Sequence, residues 1–501
     1  MNLWDLIVDA AARAPHREAL REGGTTLTYA EALAAASQLG AGLQARGVRP
    51  GDRVACLLHN TIEHYLAYFA VAGCGAILVS LNTRLAGQEL TAIARDSGAS
   101  ILVHDQGNAV LAGEIASAFA GGAYTVAALR AQSTAHHFVP HLQPAQAVAH
   151  LYYTSGTTGK PKGVMLSHEN VSLHALAAVR ELGLSAHDRW AHIAPMFHLA
   201  DAWATFAITA VQGAHVFLPK FAPKDALDLL EQERITITNL VPTMLNLMVK
   251  EPGAADRQYA IRAMLSGGAS IAPEVVKQIL ATFRGNYIQT YGMTETSPYL
   301  TLGLLGPAEQ ALSAAEQLRI QCRTGRPFAG IELKVVREDG TPVATDDREV
   351  GEIRVRGRTV TKGYWQNADA TAAAFDADGF LCTGDLATID ARGYVNIVDR
   401  KKDVIKTGGE AVYSTEVENV LYRHPAILEC AVFGVPDAVW GEQVTAAIVL
   451  RSGAQATAEE LIAFCRGQIA HYKAPRAVRF LAALPKTGSG KIQKRALRDG
   501  S

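Results

Sequence analysis

The sequence predicts an α/β protein in two parts: a large N-terminal domain of layered sheets and helices, then a small, mobile α+β C-terminal domain. Three observations carry this. The chain has 501 residues, 49% of them hydrophobic and 19% charged, enough apolar surface for more than one core. From Met1 to about Asp399, β-rich runs such as Val54 to Leu58 and Ile101 to Val103 alternate with helical stretches such as Ala30 to Ala45. After Asp399 a charged cluster, Arg400-Lys401-Lys402-Asp403, precedes a compact stretch with its own signals. The predicted division is 1–399 for the large domain, 400–403 for a hinge and 404–501 for the small domain.

Each element has a local reason. Met1 to Leu20 mixes acids and arginines in an amphipathic pattern and predicts a first helix, not a leader peptide. The apolar run Ala67 to Ser80 is shorter than the roughly 20 residues that cross a bilayer, so no transmembrane segment is expected. Ala131 to Ala149, rich in Gln, Pro, Ser and His without an apolar period, predicts a surface connection within the large domain. His136, His137, His141 and His150 lie in or beside it. Lacking a carboxylate or cysteine at ligand spacing, they are expected to be solvated loop residues. Further on, Thr415-x-x-Glu418 and Thr457-x-x-Glu460 predict capping boxes that open helices, with strands at Ala431 to Phe433 and Ala446 to Leu450 between them.

A net charge of -1 provides no basic field for nucleic acid. The six cysteines are scattered without a CxxC pair or zinc spacing, which predicts core fillers in a reducing, cytoplasmic setting.

The strongest chemical signal is the run Tyr153 to Gly163, between an apolar stretch and a capped helix starting near Ser167. The hydroxyls of Thr154, Ser155, Thr157 and Thr158, the glycines Gly156, Gly159 and Gly163, and the ammonium groups of Lys160 and Lys162 suit a phosphate cradle. It is not a Walker loop, because only two residues separate Gly156 from Gly159 and a proline follows Lys160. Elsewhere, Tyr291 offers an aromatic face for adenine, Thr294 a hydroxyl for an α-phosphate, and Glu295 a hard oxygen ligand for Mg²⁺. Asp385 can accept hydrogen bonds from both ribose hydroxyls.

The cradle resembles the signature loop of the adenylate-forming superfamily, which includes acyl-CoA synthetases, luciferases and the adenylation domains of peptide synthetases. The chain is most like the free-standing acyl-CoA synthetases. Further matches run in order along nearly the whole chain: Met196-Phe197-His198, Ser266-Gly267-Gly268-Ala269, Tyr291-Gly292-Met293-Thr294-Glu295, Thr383-Gly384-Asp385, Arg400 to Asp403, Gly408-Gly409-Glu410, and Lys486 to Lys491. The resemblance implies that these segments bind ATP, with Arg400 as a second sugar contact. Thr154, Glu295 and Lys491 form the implied catalytic set, Lys491 bridging the acid's carboxylate and the phosphate as charge gathers between them. Lys402 is the implied hinge residue. Rotation there brings Gly408-Gly409-Glu410 to the cleft, where two glycines leave room for a pantetheine arm, with Trp440 and Tyr472 as further contacts for coenzyme A.

The implied reaction joins a carboxylic acid to AMP, releasing pyrophosphate from ATP with Mg²⁺, then passes the acyl group to coenzyme A. Where many acyl-CoA synthetases continue Gly-Gly-Glu with asparagine, this chain has Ala411, which keeps open an acid–amine ligase using the same acyl-adenylate. A non-catalytic nucleotide-binding protein is the alternative of another class, and a carrier-protein partner is possible but not indicated. The acid pocket is expected around His198, Trp203, Gly268 and Met293, with Phe197, Phe206, Met244 and Leu245 nearby, an apolar lining that suits a medium-sized hydrophobic acid, aliphatic or cyclic. Amino-acid-activating relatives place an aspartate where His198 stands; Asp201 is the nearest carboxylate in this chain.

Overall fold

The structure, a computed structural model, describes residues 1–132, 137–155, 161–269, 271, 273–486 and 492–499. Two sheets with mostly parallel cores make the body of the large domain. The first runs in the order Ala123–Thr125, Ile101–His104, Arg53–Leu57, Ile77–Ser80, Val148–Ser155 and Pro161–Ser167, its last pair antiparallel. The second has nine strands and at its centre sets Asn286–Gly292, Ala263–Gly267, Ile237–Leu240, Arg189–His192 and Ala214–Phe217 side by side, all parallel. Parallel neighbours need crossovers, and the helices that supply them cover the sheet faces. The strand Ile77–Ser80 is buried at every residue, so it shows no alternation.

Between these sheets lies the largest core. Helix Ile62–Gly73 is buried at every residue except Glu63, and helix Leu199–Ala210 at all but Ala200 and Ala210. The apolar run Ala67 to Ser80 is thus the end of one helix plus a strand, and no helix among the described residues is long and apolar enough to cross a membrane. The start of the chain forms helix Leu3–Arg13 with an Asn2–Asp5 capping box, and the predicted helix at Ala30 to Ala45 spans Tyr29–Ala45.

The histidine-rich connection departs from its expectation in one place. His137 and His141 are exposed, but His150 is fully buried in the strand Val148–Ser155, against Tyr68, Tyr152 and Phe206. Burial pushes its pKa down to about 3, so it is a neutral core residue. The segment is not wholly superficial either, because Phe138 packs edge-on against Trp4 at 5.0 Å. His136 lies outside the described residues.

A third sheet is antiparallel, in the order Ile331–Val336, Gly351–Gly357, Leu381–Ile389 and Val395–Arg400. Beyond it the smaller C-terminal domain builds its own sheet around the long hairpin Ile427–Asp437 and Gly441–Leu450, with cores centred on Val432, Ile448 and Leu461, and on Phe433 and Ala447. Thr457 and Glu460 cap helix Ala458–Arg466 reciprocally, as their spacing predicts. Thr415 and Glu418 do not. The helix there is Ser414–Leu421, its N-cap is Tyr413 without a side-chain cap, and Glu418 turns inward to accept the Val432 N–H at 2.8 Å and pair with Lys494 at 2.8 Å. All six cysteines are free; Cys56, Cys74, Cys430 and Cys465 are buried, whereas Cys322 and Cys382 are only half-buried.

Phe206 is fully buried and packs on Tyr68, Phe69 and His150 at centroid distances of 5.5 to 5.7 Å. Phe206→Ala is expected to cost about 3–5 kcal/mol of large-domain stability, read by urea unfolding.

Candidate nucleotide and acceptor sites

The cradle predicted from sequence opens at a hairpin. Val148–Ser155 and Pro161–Ser167 pair antiparallel up to Thr154 opposite Lys162 and Ser155 opposite Pro161. Gly156, Thr157, Thr158, Gly159 and Lys160 lie outside the described residues, as does Lys491. What the hairpin faces is nevertheless defined by its base. The Trp365 N–H donates to the Gly163 carbonyl at 2.7 Å, and the Lys162 ammonium sits over the Tyr364 ring, 5.1 Å from its centroid. The Tyr364 hydroxyl then donates to Glu295 Oε1 at 3.0 Å. One aromatic side chain therefore spans from the cradle's lysine to the carboxylate expected to hold Mg²⁺. A Cβ on Gly163 would meet the Tyr153 ring at 2.9 Å, so this close strand approach needs glycine.

Glu295 follows directly from the strand Asn286–Gly292. That strand ends in Tyr291-Gly292-Met293, and Thr294–Thr296 forms a tight 3-10 turn. Gly292 has no room for a side chain, because a Cβ would overlap the Pro298 carbonyl. Gly267, at the end of the neighbouring strand, is blocked in the same way by Thr290. Gly268 follows at φ +86°, a left-handed conformation that favours glycine, and the Ala269 carbonyl accepts from Gln289 at 3.3 Å. These residues stand at the carboxyl ends of parallel strands, where open α/β sheets place their ligands.

The third sheet supplies the rest. Tyr291 donates its hydroxyl to Asp385 Oδ2 at 2.6 Å, and Arg400 pairs with Asp385 Oδ1 at 3.3 Å. Burial and the adjacent Asp385 carboxylate push the Tyr291 hydroxyl pKa well up, so it remains a donor. Asp385 and Arg400 are opposed in register on Leu381–Ile389 and Val395–Arg400. Thus the structure joins Thr154 and Lys162 to Glu295 through Tyr364, and Glu295 to Asp385 and Arg400 through the Tyr291 strand.

The residues fit ATP with Mg²⁺. The glycine-restricted strand ends admit a close ligand, Asp385 and Arg400 set a carboxylate and a guanidinium side by side, able to hydrogen-bond hydroxyls, and Glu295 is a buried carboxylate of the kind that shares Mg²⁺ with substrate phosphates. Among the described residues no group of three or more His, Cys, Asp or Glu could cage a metal by itself.

Of the expected acid-pocket residues, Trp203 is 1% exposed. It stacks edge-on against His174, Trp190 and Tyr299 at 5.1 to 5.7 Å, and its indole N–H donates to the Ala200 carbonyl at 3.1 Å. His198 precedes helix Leu199–Ala210, its ring 4.8 Å from that of Phe197. Gly268 is exposed and Met293 half-buried at the neighbouring strand ends. Asp201 is fully buried and turned into the core, accepting from the Trp190 indole at 3.2 Å and paired with His192 Nδ1 at 2.5 Å. It is spent on structure and cannot receive a substrate ammonium.

The predicted acceptor residues gather on the small domain. Gly408 and Gly409 have φ of +60° and +84°, and the Gly408 N–H donates to the Trp440 carbonyl at 2.8 Å. A Cβ on Gly408 would meet the Trp440 ring at 2.9 Å. Glu410 begins the short strand Glu410–Val412. Trp440 and Tyr472 line one cleft of about 400 Å³ together with Arg466, His471 and Arg476, and the Arg476 guanidinium lies 3.8 Å from the Trp440 ring centroid. Lys402 is exposed just after the strand Val395–Arg400.

Sequence reasoning missed Tyr364, Arg466, His471 and Arg476. Tyr364 was findable as the aromatic beside Gly363 and Trp365. The cleft arginines carry no local signal, because their grouping arises only when helix Ala458–Arg466 and the following turn pack beside Trp440.

Two family models match the chain: "AMP-binding enzyme" over residues 7–365 and "AMP-binding enzyme C-terminal domain" over 416–491. A feruloyl-CoA synthase from Amycolatopsis sp is 39% identical, the match covering 98% of this chain and 97% of the relative. A long-chain-fatty-acid–CoA ligase from Thermus thermophilus is 36% identical, covering 100% and 95%. Among solved structures, ATP-bound MatB from Rhodopseudomonas palustris superposes with a TM-score of 0.89 at 32% identity, covering 99% of this chain and 98% of that one. The apo form of MatB gives 0.77 at 31% identity over the same shares. The amide bond synthetase McbA from Marinactinospora thermotolerans gives 0.87 at 26% identity, covering 99% of each. The chain belongs to the AMP-binding, adenylate-forming enzymes, among the acyl-CoA synthetases.

Proposed function

We propose that the protein is an AMP-forming acid–thiol ligase that activates a medium-sized hydrophobic carboxylic acid, aliphatic or cyclic, and transfers it to coenzyme A. The observation that carries this is the chain of contacts from Lys162 through Tyr364 to Glu295, beside the Tyr291–Asp385–Arg400 group. These contacts link the Lys162 ammonium to the Glu295 carboxylate, which follows Tyr291 closely in the chain, a grouping that suits the phosphates, metal and sugar of one nucleotide. In the first step a carboxylate oxygen attacks the α-phosphorus of ATP and pyrophosphate leaves. Thr154 and Lys162 neutralise phosphate, Thr294 binds the α-phosphate, and Mg²⁺ on Glu295 would offset its charge. Lys491 is assigned to the carboxylate–phosphate bridge. In the second step the coenzyme A sulfur attacks the acyl carbon, its proton passes to solvent, and AMP leaves.

The division into 1–399, the hinge 400–403 with Lys402, and 404–501 belongs to this proposal, since one cleft cannot both exclude water during activation and admit a thiol afterwards. The Trp440 cleft is assigned to coenzyme A. Its aromatic face and two guanidinium groups suit a nucleotide bearing phosphates, and Gly408-Gly409-Glu410 adjoins it through Gly408. The enclosed aromatic wall around Trp203 and the burial of Asp201 favour an uncharged acid body over an amino acid. Free cysteines throughout support a cytoplasmic setting, with small molecules rather than nucleic acid as partners.

An acid–amine ligase is the second reading, favoured by Ala411 and by the likeness to an amide bond synthetase. Given acid, ATP and Mg²⁺ with either coenzyme A or a panel of amines, the product identified by mass should be the thioester; amide without thioester would reverse the choice. Lys491→Ala should slow acid-dependent pyrophosphate exchange by roughly 10²- to 10³-fold while largely sparing thioester formation from supplied acyl-adenylate. Arg476→Ala should raise the KM for coenzyme A about tenfold and leave pyrophosphate exchange unchanged, measured by steady-state kinetics.

A further inference from the structure

The small domain is tied to the large one by more than its connecting chain. Asp399, next to last in the strand Val395–Arg400, is 4% exposed, and its Oδ2 accepts from both the backbone N–H and the hydroxyl of Ser414, at 2.5 and 2.7 Å. Ser414 is fully buried and begins helix Ser414–Leu421. Its Oγ accepts in turn from the Lys494 ammonium at 2.5 Å, and that ammonium also reaches Glu418 Oε1 at 2.8 Å. On the same terminal helix, Lys494–Arg498, the Arg498 guanidinium pairs with Asp403 at 3.2 Å and donates to the Lys402 carbonyl at 3.5 Å.

The cluster is satisfied in detail. Ser414 donates once and accepts once through its hydroxyl, and Glu418 receives the Val432 N–H as well as the ammonium. Lys494 and Glu418 side chains are each 15% exposed. Burial opposes the lysine's charge, yet Glu418 and Asp399, with Asp403 beyond them, hold its pKa above the ordinary lysine value. Without the ammonium, two carboxylates would share a largely water-excluded site with no cation between them.

Position in the chain gives the cluster its meaning. Asp399 precedes the segment 400–403, whereas Ser414, Glu418 and Lys494 follow it. A rotation at Lys402 therefore changes the geometry between Asp399 and Ser414, while the Lys494–Glu418 pair travels with the small domain. The arrangement in this structure matches ATP-bound MatB more closely than apo MatB, with TM-scores of 0.89 and 0.77. We propose that Asp399, Ser414 and Lys494 are positioning residues: the Ser414 bridge fastens the small domain in the orientation seen here and favours adenylation over the thioester step. This rests on the two-step ligase function proposed above.

The test compares the two half-reactions. Ser414→Ala keeps the Lys494–Glu418 pair and the backbone N–H bond to Asp399 but removes the hydroxyl that links Asp399 to Lys494. It should slow acid-dependent pyrophosphate exchange about tenfold, with the KM for ATP within about twofold of the unaltered protein. Thioester formation from supplied acyl-adenylate should be unchanged or faster. Lys494→Met should shift the ratio of the two rates in the same direction, and Lys494→Arg should restore most of it. Should Lys494→Met fail to fold, as read by circular dichroism, Ser414→Ala decides alone. Equal loss of both half-reactions in folded Ser414→Ala, or no change in either, overturns the positioning role. Exchange absent from the unaltered protein would instead overturn the ligase function, and the positioning role with it.

Discussion

The hydrogen bond from Tyr291 to Asp385 is the constraint on which the site depends. It joins two sheets that share no strand, the nine-stranded sheet that ends at Gly292 and the antiparallel sheet that carries Asp385. A half-buried tyrosine hydroxyl needs an acceptor, and leaving that bond unmade costs about 1–3 kcal/mol. With Asp385 as that acceptor, Arg400 follows by register, because it is directly opposite Asp385 in the ladder. Glu295 follows too, since the tight turn after Met293 fixes its place relative to Tyr291. One hydrogen bond thereby sets the spacing between the Asp385 and Glu295 carboxylates.

Within the site Asp385 is paired with Arg400, whereas Lys162 and Glu295 meet the same tyrosine side chain and are not paired with each other. Lys162 faces the π-system of Tyr364 and not a carboxylate, an attraction worth about 0.5–1 kcal/mol at an exposed position. Glu295 accepts from a neutral phenol at the other end of the same side chain. Had Lys162 paired with Glu295 directly, a polyphosphate and its cation would first have to break that ion pair. Tyr364 keeps the two apart and oriented.

Much of the fold could be read from the chain because local rules and burial agree in it. The helix Tyr29–Ala45, the strands Arg53–Leu57 and Ile101–His104, and the capped helix Ala458–Arg466 follow from periodicity and cap chemistry. The ordered motifs were legible too, and the structure gives their glycines at Gly267 and Gly292 a steric reason. Failures came where tertiary partners outbid local ones. Glu418 has the spacing of a capping residue, but a buried ammonium and the Val432 N–H are stronger partners than its own helix end. His150 sits beside a polar loop in sequence yet belongs to a buried strand. Asp201, the nearest carboxylate to His198 in sequence, is instead held by His192 and Trp190 from a neighbouring strand. Tyr364 and the arginines around Trp440 acquire roles solely through long-range packing.

The two domains are also held together differently from the way each is held internally. Inside, the cores are apolar and close-packed, and burial at about 25 cal/mol per Å² makes any partial opening expensive. At the junction, the contacts that involve Asp399, Lys402 and Asp403 are hydrogen bonds and ion pairs. Such bonds exchange with water for a net cost of only about 0.5–1.5 kcal/mol each. An apolar junction would lock one orientation, whereas a chain without contacts would hold none. A few satisfied polar contacts beside a short charged segment give a preferred orientation that a ligand's differential affinity can still overturn, which two successive reactions in one enzyme require.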